Sequence, residues 1–503
     1  MNQRASKKNP INNREIIFIN PPYERIAPGY GFVKHITNHA SSLGLLHLAA
    51  EVREHGYQPS IIESDIFNLT IEQVAERVIE QKPAYVGITL FTVGVWGAAS
   101  IARKIKQGSP DTVIIVGGPH ISSMGKETIQ RFQEFDYAVN GEGEKILIEL
   151  LAALEAGTNL MEVPGVIFRE LSFVHVTPGN PVNRVLDELP MPAWDLLPDF
   201  PQAYKPSIYD FPRGPVATIA ASRGCPFHCK FCDTSTFGDR VRHYSPIKVF
   251  EMMQHLNDVY GVRHIMFVDD LFLASKVRVT ELCNMILDSG LKMTWSCTAR
   301  VDTVKPGVLD LMKKAGCWEI SFGLETGSNL LLKKMDKAAE VEKSEQAVNW
   351  TAEAGIRTKG LFMLGFPGED KETIAETKDF IRRIPMTIMN LTKFTPYPGS
   401  PIYRDLYGTN IQEDHWDKMN GMNFVWSPEG ISVEDLDRQY QAILMAFYRR
   451  PQIGLYYINL TLMYPNHFAR LLRFCLGYLN AKAKSFLSGR KGLLVKSYDT
   501  SLD

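Results

Sequence analysis

The chain has 503 residues and a mass of 56.8 kDa, enough for about three domains at roughly 100–200 residues each. Lys and Arg number 55 against 56 Asp and Glu, a formal charge of −1, with 45% hydrophobic and 22% charged residues. That balance excludes a disordered or collagen-like chain and a nucleic-acid binder relying on bulk positive charge, and seven cysteines are too few for a disulfide scaffold.

The N-terminus is polar and basic, and the apolar run that follows it is too short for a signal-peptide core. No stretch reaches the roughly 18 apolar residues needed to span a bilayer. The expectation is a cytoplasmic protein in a reducing compartment, where cysteines bind metals more readily than they pair.

Residues 1–156 form the first domain. Strands are predicted at 15–20, 60–64, 85–91, 113–117 and 137–140, with helical spacing between them, as at 43–55 and 95–107. Continuous apolar strands alternating with helices imply a parallel sheet covered on both faces, a flavodoxin- or Rossmann-like doubly wound α/β domain. Such domains bind ligands beyond the C-terminal strand ends. There the sequence reads Asn20-Pro21-Pro22, Ser64-Asp65, Thr89 to Thr92, Gly117-Gly118-Pro119-His120 and Gly141-Glu142-Gly143-Glu144. Small residues at these ends admit a large ligand close to the backbone, and they serve equally as tight turns. No G-x-G-x-x-G follows the first strand, so a dinucleotide site is not expected.

Residues 157–213 read as a connector, with a small hairpin over 163–169 and 173–176 and a linker holding Pro190, Pro192, Pro198 and Pro201. From 214 to 400 alternation returns, with strands predicted at 216–222, 264–269, 294–298, 318–324, 358–364 and 389–394 and helices such as 246–260 and 371–384. Six βα units suit a partial (β/α)6 barrel of the TIM type with its chemistry on the loops after the strands; a second open parallel sheet is the alternative. Residues 401–503 are helical in pattern. The tail over 482–496 carries five basic residues and no acid among leucines and a phenylalanine, a composition suited to an anionic membrane surface or to a solvated terminal helix.

The chemistry concentrates in Ser222-Arg-Gly-Cys225-Pro-Phe-His-Cys229-Lys-Phe-Cys232, directly after the first barrel strand. Three thiolates on one short loop converge on one cofactor. A structural zinc site wants four paired ligands, and no second C-x2-C lies nearby. An iron–sulfur cluster fits better, and three ligands for four irons leave one iron open for catalysis; zinc and a redox thiol group remain as alternatives. Cys283, Cys297, Cys317 and Cys475 are isolated and read as packing residues, with no second cluster expected from their spacing.

This C-x3-C-x2-C loop resembles that of the radical S-adenosylmethionine (SAM) superfamily. The resemblance implies a [4Fe-4S] cluster held by Cys225, Cys229 and Cys232. Its open iron binds SAM, and one electron then cleaves SAM to a 5′-deoxyadenosyl radical that takes hydrogen from the substrate. Phe231, just before the third cysteine, matches the family pattern. At lower specificity, the barrel loops supply Asp270 after the second strand, Arg300 after the third, Glu325 in Gly323-Leu-Glu325-Thr-Gly-Ser328, and Phe366 in Gly365-Phe366-Pro367-Gly368-Glu369. These are the implied SAM contacts, with Arg300 suited to a carboxylate and Glu325 to the ribose or amino group. Met335-Asp-Lys337 matches a further family element without an assigned role.

An α/β domain, hairpin, proline-rich linker, barrel and helical tail in this order look like the cobalamin-binding subclass. The implied cobalamin contacts are Asn20, Asp65, Thr89, Thr92, Gly117, Gly118, His120, Gly141, Glu142 and Gly143. The D-x-H-x-x-G pattern whose histidine ligates cobalt in many cobalamin domains is absent, with Asp65-Ile66-Phe67 in its place, so no histidine ligand is expected from this loop. The implied activity is cobalamin-dependent radical SAM methyl transfer to an unactivated carbon. Ring formation, ring rearrangement or oxidation of a lipid- or tetrapyrrole-like substrate without net methylation is the alternative, and a non-enzymatic iron–sulfur protein the remote one. The implied partners are a small or lipid-like substrate and an electron donor such as flavodoxin or ferredoxin. No nucleic acid is expected, and the basic tail suggests peripheral membrane contact.

Overall fold

The computed structural model describes residues 14–22, 40–179, 181–411 and 413–487. The chain forms two compact units. The first comprises residues 14–22, 42–198 and 235–237, and the second residues 40–41, 199–234 and 238–487, the masked positions excepted.

In the first unit, strands β1 (Glu15–Asn20), β2 (Gln58–Glu63), β3 (Tyr85–Thr89), β4 (Val113–Gly117), β5 (Tyr137–Val139), β6 (Val166–Glu170) and β7 (Phe173–Val176) form one sheet in the order β2-β1-β3-β4-β5-β6-β7. Strands β1 to β5 are mutually parallel, each followed by a helix as the apolar runs predict. Ile16 to Ile19 are all buried, because a central strand covered on both faces has no wet side. The helix Ile71–Gln81 starts at a capping box. Thr70 Oγ1 accepts from the Gln73 N–H and Gln73 Oε1 accepts from the Thr70 N–H. The hairpin corrects the expected connector: β6 and β7 continue this sheet antiparallel from β5, with Val166 to Phe168 paired on Val139 to Tyr137.

In the second unit, β8 (Val216–Ile219) leads to a two-stranded ribbon of β9 (Ser222–Arg223) and β10 (Arg242–His243). Strands β11 (His264–Phe267), β12 (Thr294–Ala299), β13 (Cys317–Glu325), β14 (Arg357–Leu364) and β15 (Ile388–Lys393) join β8 in a six-stranded parallel sheet, ordered β8-β11-β12-β13-β14-β15. This is the expected partial (β/α)6 barrel, with β8 and β15 as its edges. The helix Val433–Tyr448 covers the β15 edge. Tyr440 donates its hydroxyl to the Leu391 carbonyl at 3.0 Å and Tyr448 to that of Met389 at 2.7 Å, which blunts an exposed strand edge. At the N-terminal end of the barrel, Arg357 lies 3.3 Å from Glu319 and stacks 4.0 Å over Trp318, and Lys359 pairs with Asp210 at 3.0 Å. Charges at that end serve stability rather than chemistry.

The helices Pro451–Met463 and Pro465–Leu487 grip the segment before the barrel. His467 bonds the Phe211 carbonyl at 2.8 Å, Arg470 that of Pro206 at 2.8 Å, and Tyr209 the Thr461 hydroxyl at 2.8 Å. Among the described residues no helix is long and apolar enough to cross a membrane. The tail expected to meet a membrane continues past Leu487, outside the described residues.

Candidate functional sites

The second unit builds its site from the loop after β8. Asp269, wholly buried at the end of β11, accepts the Ala221 N–H at 3.1 Å and the Ser222 hydroxyl at 2.5 Å. Burial pushes its pKa up to about 7. Its neighbour Asp270 accepts the Gly224 N–H at 2.8 Å. These two carboxyls aim the cysteine loop at the C-terminal end of the barrel. Farther along, the Lys230 N–H donates to the Met335 carbonyl at 2.9 Å, and the Lys230 carbonyl accepts from Ile402 at 2.9 Å. Phe231 packs on a core of Leu331, Met335, Phe366, Phe394 and Ile402.

Cys229 is buried, Cys225 half-buried and Cys232 exposed. Cys232 hydrogen-bonds Cys229, and the cations of Lys337 and Arg300 lie near; together they lower the Cys229 thiol to about 6, against the opposing effect of burial. The proton of the pair resides on Cys232, whose pKa is raised. Burial raises Cys225. One sulfur of this loop is therefore a thiolate near neutrality, the form that binds metal. Among the described residues no three His, Cys, Asp or Glu side chains gather around a single metal-ion position. Three thiols on one loop, one for each of three irons, are the donor set a four-iron cluster with one open iron takes.

Arg300 is 7% exposed. Its Nε and Nη2 donate to Asp302 at 3.1 and 3.2 Å, Nη2 also to the carbonyls of Lys337 and Ala338 at 2.8 and 3.2 Å, and Nη1 to Cys229 Sγ at 3.8 Å. The guanidinium also stacks 3.5 Å over Phe227. These contacts engage Nε and Nη2 within the unit and leave Nη1 beside the Cys229 sulfur. Glu325 holds a positive φ of 63°, uncommon outside glycine, and its Oε1 accepts from Lys337 Nζ at 2.6 Å with both side chains about nine-tenths buried. Burial works against the Lys337 ammonium, but Glu325 and the neighbouring thiols outweigh it and raise its pKa. Phe366, expected at SAM, lies 1% exposed within the core that seats Phe231. Sequence reasoning noticed Lys337 without assigning it and missed Phe227; the signal for Lys337 was the Met335-Asp-Lys337 run.

Cys283, Cys297 and Cys317 are buried, and the Cys317 thiol donates to the Glu319 carbonyl at 3.8 Å. Cys475 is exposed, which corrects its reading as packing.

The first unit collects its candidate residues at the C-terminal ends of β1 to β5. Asn20 Nδ2 donates to the buried Glu63 at 2.7 Å, and Glu63 also accepts from the Ser42 N–H at 2.8 Å. Asp65 is half-buried just beyond β2. Thr89 ends β3 against Gly118, whose φ is +99° and where a Cβ would come within 2.9 Å of Thr89 Oγ1 and 3.0 Å of the Leu90 carbonyl oxygen. Gly141 has a φ of +96°, and its N–H donates to Ser122 at 3.2 Å. At Gly117 a Cβ would make only ordinary contacts.

Four expected ligand contacts turn inward instead. His120 bonds Thr92 at 3.1 Å through Nδ1 and Thr128 at 3.0 Å through Nε2, and burial lowers it to about 3, so it is a neutral brace with both nitrogens engaged. Thr92 is the other half of that brace. Glu142 accepts both the N–H and the side-chain amide of Asn183, at 3.0 and 2.9 Å. Gly143 gives room to Leu48, whose Cδ2 would lie 2.9 Å from a Cβ there. The strand ends that remain, small or hydroxyl-bearing, fit a large ligand lying over backbone with no histidine beneath it.

Two families match the chain, one mainly in each unit. The B12 binding domain matches residues 31–151 and the radical SAM superfamily residues 219–381. The Uncharacterized methyltransferase PH0819 of Pyrococcus horikoshii is 31% identical over 82% of this chain and 88% of its own length. The anaerobic magnesium-protoporphyrin IX monomethyl ester cyclase of Rubrivivax gelatinosus is 27% identical over 86% of this chain and 77% of its own. Among solved structures, the radical S-adenosylmethionine methyltransferase TsrM of Kitasatospora setae shares the fold, with a TM-score of 0.65 and 20% identity over 78% of this chain and 76% of that one. The chain thus belongs to the cobalamin-binding radical SAM enzymes, and its cofactors are a [4Fe-4S] cluster, SAM and cobalamin.

Proposed function

We propose that this enzyme transfers a methyl group to an unactivated carbon of a small or lipid-like substrate. The observation that carries the proposal is the three-cysteine loop at the C-terminal end of β8, with Cys229 acidified between Arg300 and Lys337. When bound, the cluster supplies the electron that cleaves SAM and cobalamin carries the methyl group. Cys225, Cys229 and Cys232 hold the cluster, and Phe231 anchors their loop to the barrel. Arg300 and Lys337 offset the negative charge of the thiolates. Glu325, held in position by Lys337, orients SAM through its other carboxylate oxygen, with Asp270 fixing the loop beside it. Asp65, Thr89, Gly117, Gly118 and Gly141 face cobalamin, while Asn20, Thr92, His120, Glu142 and Gly143 brace the loops around it.

We assign the work to residues 1–156 for cobalamin and 214–400 for SAM, with 157–213 joining them and 401–503 shaping substrate access. The enzyme acts in the cytoplasm, takes electrons from a flavodoxin- or ferredoxin-like donor and needs no nucleic acid. The cyclase relative supports a second reading, ring formation without methylation.

Anaerobic reconstitution with cobalamin, SAM and a reductant tests both, using extracts of a deletion strain as substrate. 5′-Deoxyadenosine together with S-adenosylhomocysteine is expected. 5′-Deoxyadenosine alone favours ring formation, and neither product refutes the assignment. Cys225→Ala, Cys229→Ala and Cys232→Ala should each reduce iron content and bring SAM cleavage to background.

A further inference from the structure

We propose that the helices Pro451–Met463 and Pro465–Leu487 form a docking surface for a lipid bilayer with anionic headgroups. Leu455, Ile458 and Leu462 recur at i, i+3 and i+7 on the first helix and are 60, 57 and 74% exposed. Phe468, Leu472, Leu476 and Leu479 recur at i, i+4, i+8 and i+11 on the second and are 55, 46, 58 and 60% exposed. With a period of about 3.6 residues, each set occupies one helix face. The second helix docks on its own unit near its start, through His467 and Arg470; among its described side chains over 471–479 none is buried. Two consecutive helices thus turn large apolar side chains to water, over a run of about 17 Å from Phe468 to Leu479 on the second. An apolar surface of that extent marks an interaction site.

Charge selects the occupant. Between Asp437 and Asp499 the chain has no acidic residue and ten Lys or Arg, although the whole chain balances 55 bases against 56 acids. Six of those ten lie at or beyond Arg473 in the sequence, and Arg473 itself is exposed. Apolar stripes accompanied by basic residues, on helices too polar to cross a membrane, suit the interfacial plane of an anionic bilayer. A second copy of this chain would set one acid-free basic segment against another, which repels. The docking does not depend on the reaction proposed above.

Sedimentation of the full-length reconstituted enzyme with vesicles tests this. One set is phosphatidylcholine alone, the other phosphatidylcholine with an equal part of phosphatidylglycerol, each at low and high salt. We expect about tenfold more enzyme to sediment with the anionic vesicles, and the excess to shrink at high salt. Leu472→Glu combined with Leu476→Glu should abolish it with helix content and bound cobalamin unchanged. Should that pair disturb the fold, Arg473→Glu, a lone exposed charge, should still weaken binding several-fold. Absence of binding to anionic vesicles, or binding indifferent to these variants, overturns the proposal. So does a dimer in light scattering that the leucine variants disperse, which assigns the face to a second copy. SAM is absent from the assay, so its failure leaves the catalytic reading standing, and loss of SAM cleavage leaves vesicle binding untouched.

Discussion

Gly118→Ala should cost the first unit about 2–5 kcal/mol. The backbone there has φ +99° and ψ −176°, a region open essentially to glycine, where another residue costs about 1–3 kcal/mol. The added Cβ would also lie 2.9 Å from Thr89 Oγ1 and 3.0 and 3.1 Å from the Leu90 carbonyl oxygen and nitrogen. Two of those neighbours are backbone at the end of a central strand, hydrogen-bonded from the Leu90 N–H to the Gly117 carbonyl at 2.7 Å, so they move only by opening the sheet. Crowding of that kind costs about 1–3 kcal/mol, and stiffening of the unfolded chain returns about 0.4–1 kcal/mol. Gly157→Ala is the control. It has a positive φ of +65° but open space around its Cβ, so only the conformational cost of about 1–2 kcal/mol applies. Hydrogen exchange of peptides covering Tyr85–Thr89 and Val113–Gly117 reads the local stability, and retained cobalamin reads the site. If Gly118→Ala is no worse than Gly157→Ala, the close approach of β3 and β4 at this turn is misread.

Lys337→Met leaves Glu325 buried without its cation and should destabilise the second unit by about 3–5 kcal/mol in urea unfolding. Adding Glu325→Gln should recover part of that loss, and simple additivity of the two would deny that they act as a pair. Asp269 is a carboxyl raised from 3.8 to about 7, so the folded chain keeps a proton that the unfolded chain releases. Its contribution is most favourable below pH 3.8, falls as pH climbs to about 7, and is constant above. The gap in melting temperature between the native enzyme and Asp269→Asn should therefore change across that window, and a constant gap refutes the burial argument.

What the sequence reveals depends on whether the cause is local. Ile16 to Ile19 and the 113–117 run are apolar without interruption, and burial of both strand faces follows from composition alone. The cysteine spacing is equally local, because a loop of eight residues contains its whole logic. The hairpin at Val166–Val176 was legible as a hairpin, but its attachment to β5 was not. Pairing of Ala138 with Ile167 is decided by which sheet edge lies bare after folding. Arg300 shows the same limit: its partners Asp302, Lys337 and Cys229 are spread over more than a hundred positions, and only the folded chain brings them to one guanidinium. His120 occupies a loop where a cobalamin contact was expected, yet Thr128 about two helical turns on and Thr92 beyond the neighbouring strand draw it inward. Lys337 stood out in the Met335-Asp-Lys337 run, but only the folded turn pairs it with Glu325 and so gives it a role.

The stitching of Lys230 to Met335 and Ile402 makes the cysteine loop answerable to residues far along the chain. Phe231 adds a third anchor in the core of Leu331, Phe366 and Phe394. A substitution that shifts that core would therefore displace the thiols without touching a cysteine, so the geometry of the cofactor socket is inherited from packing and not from the motif alone.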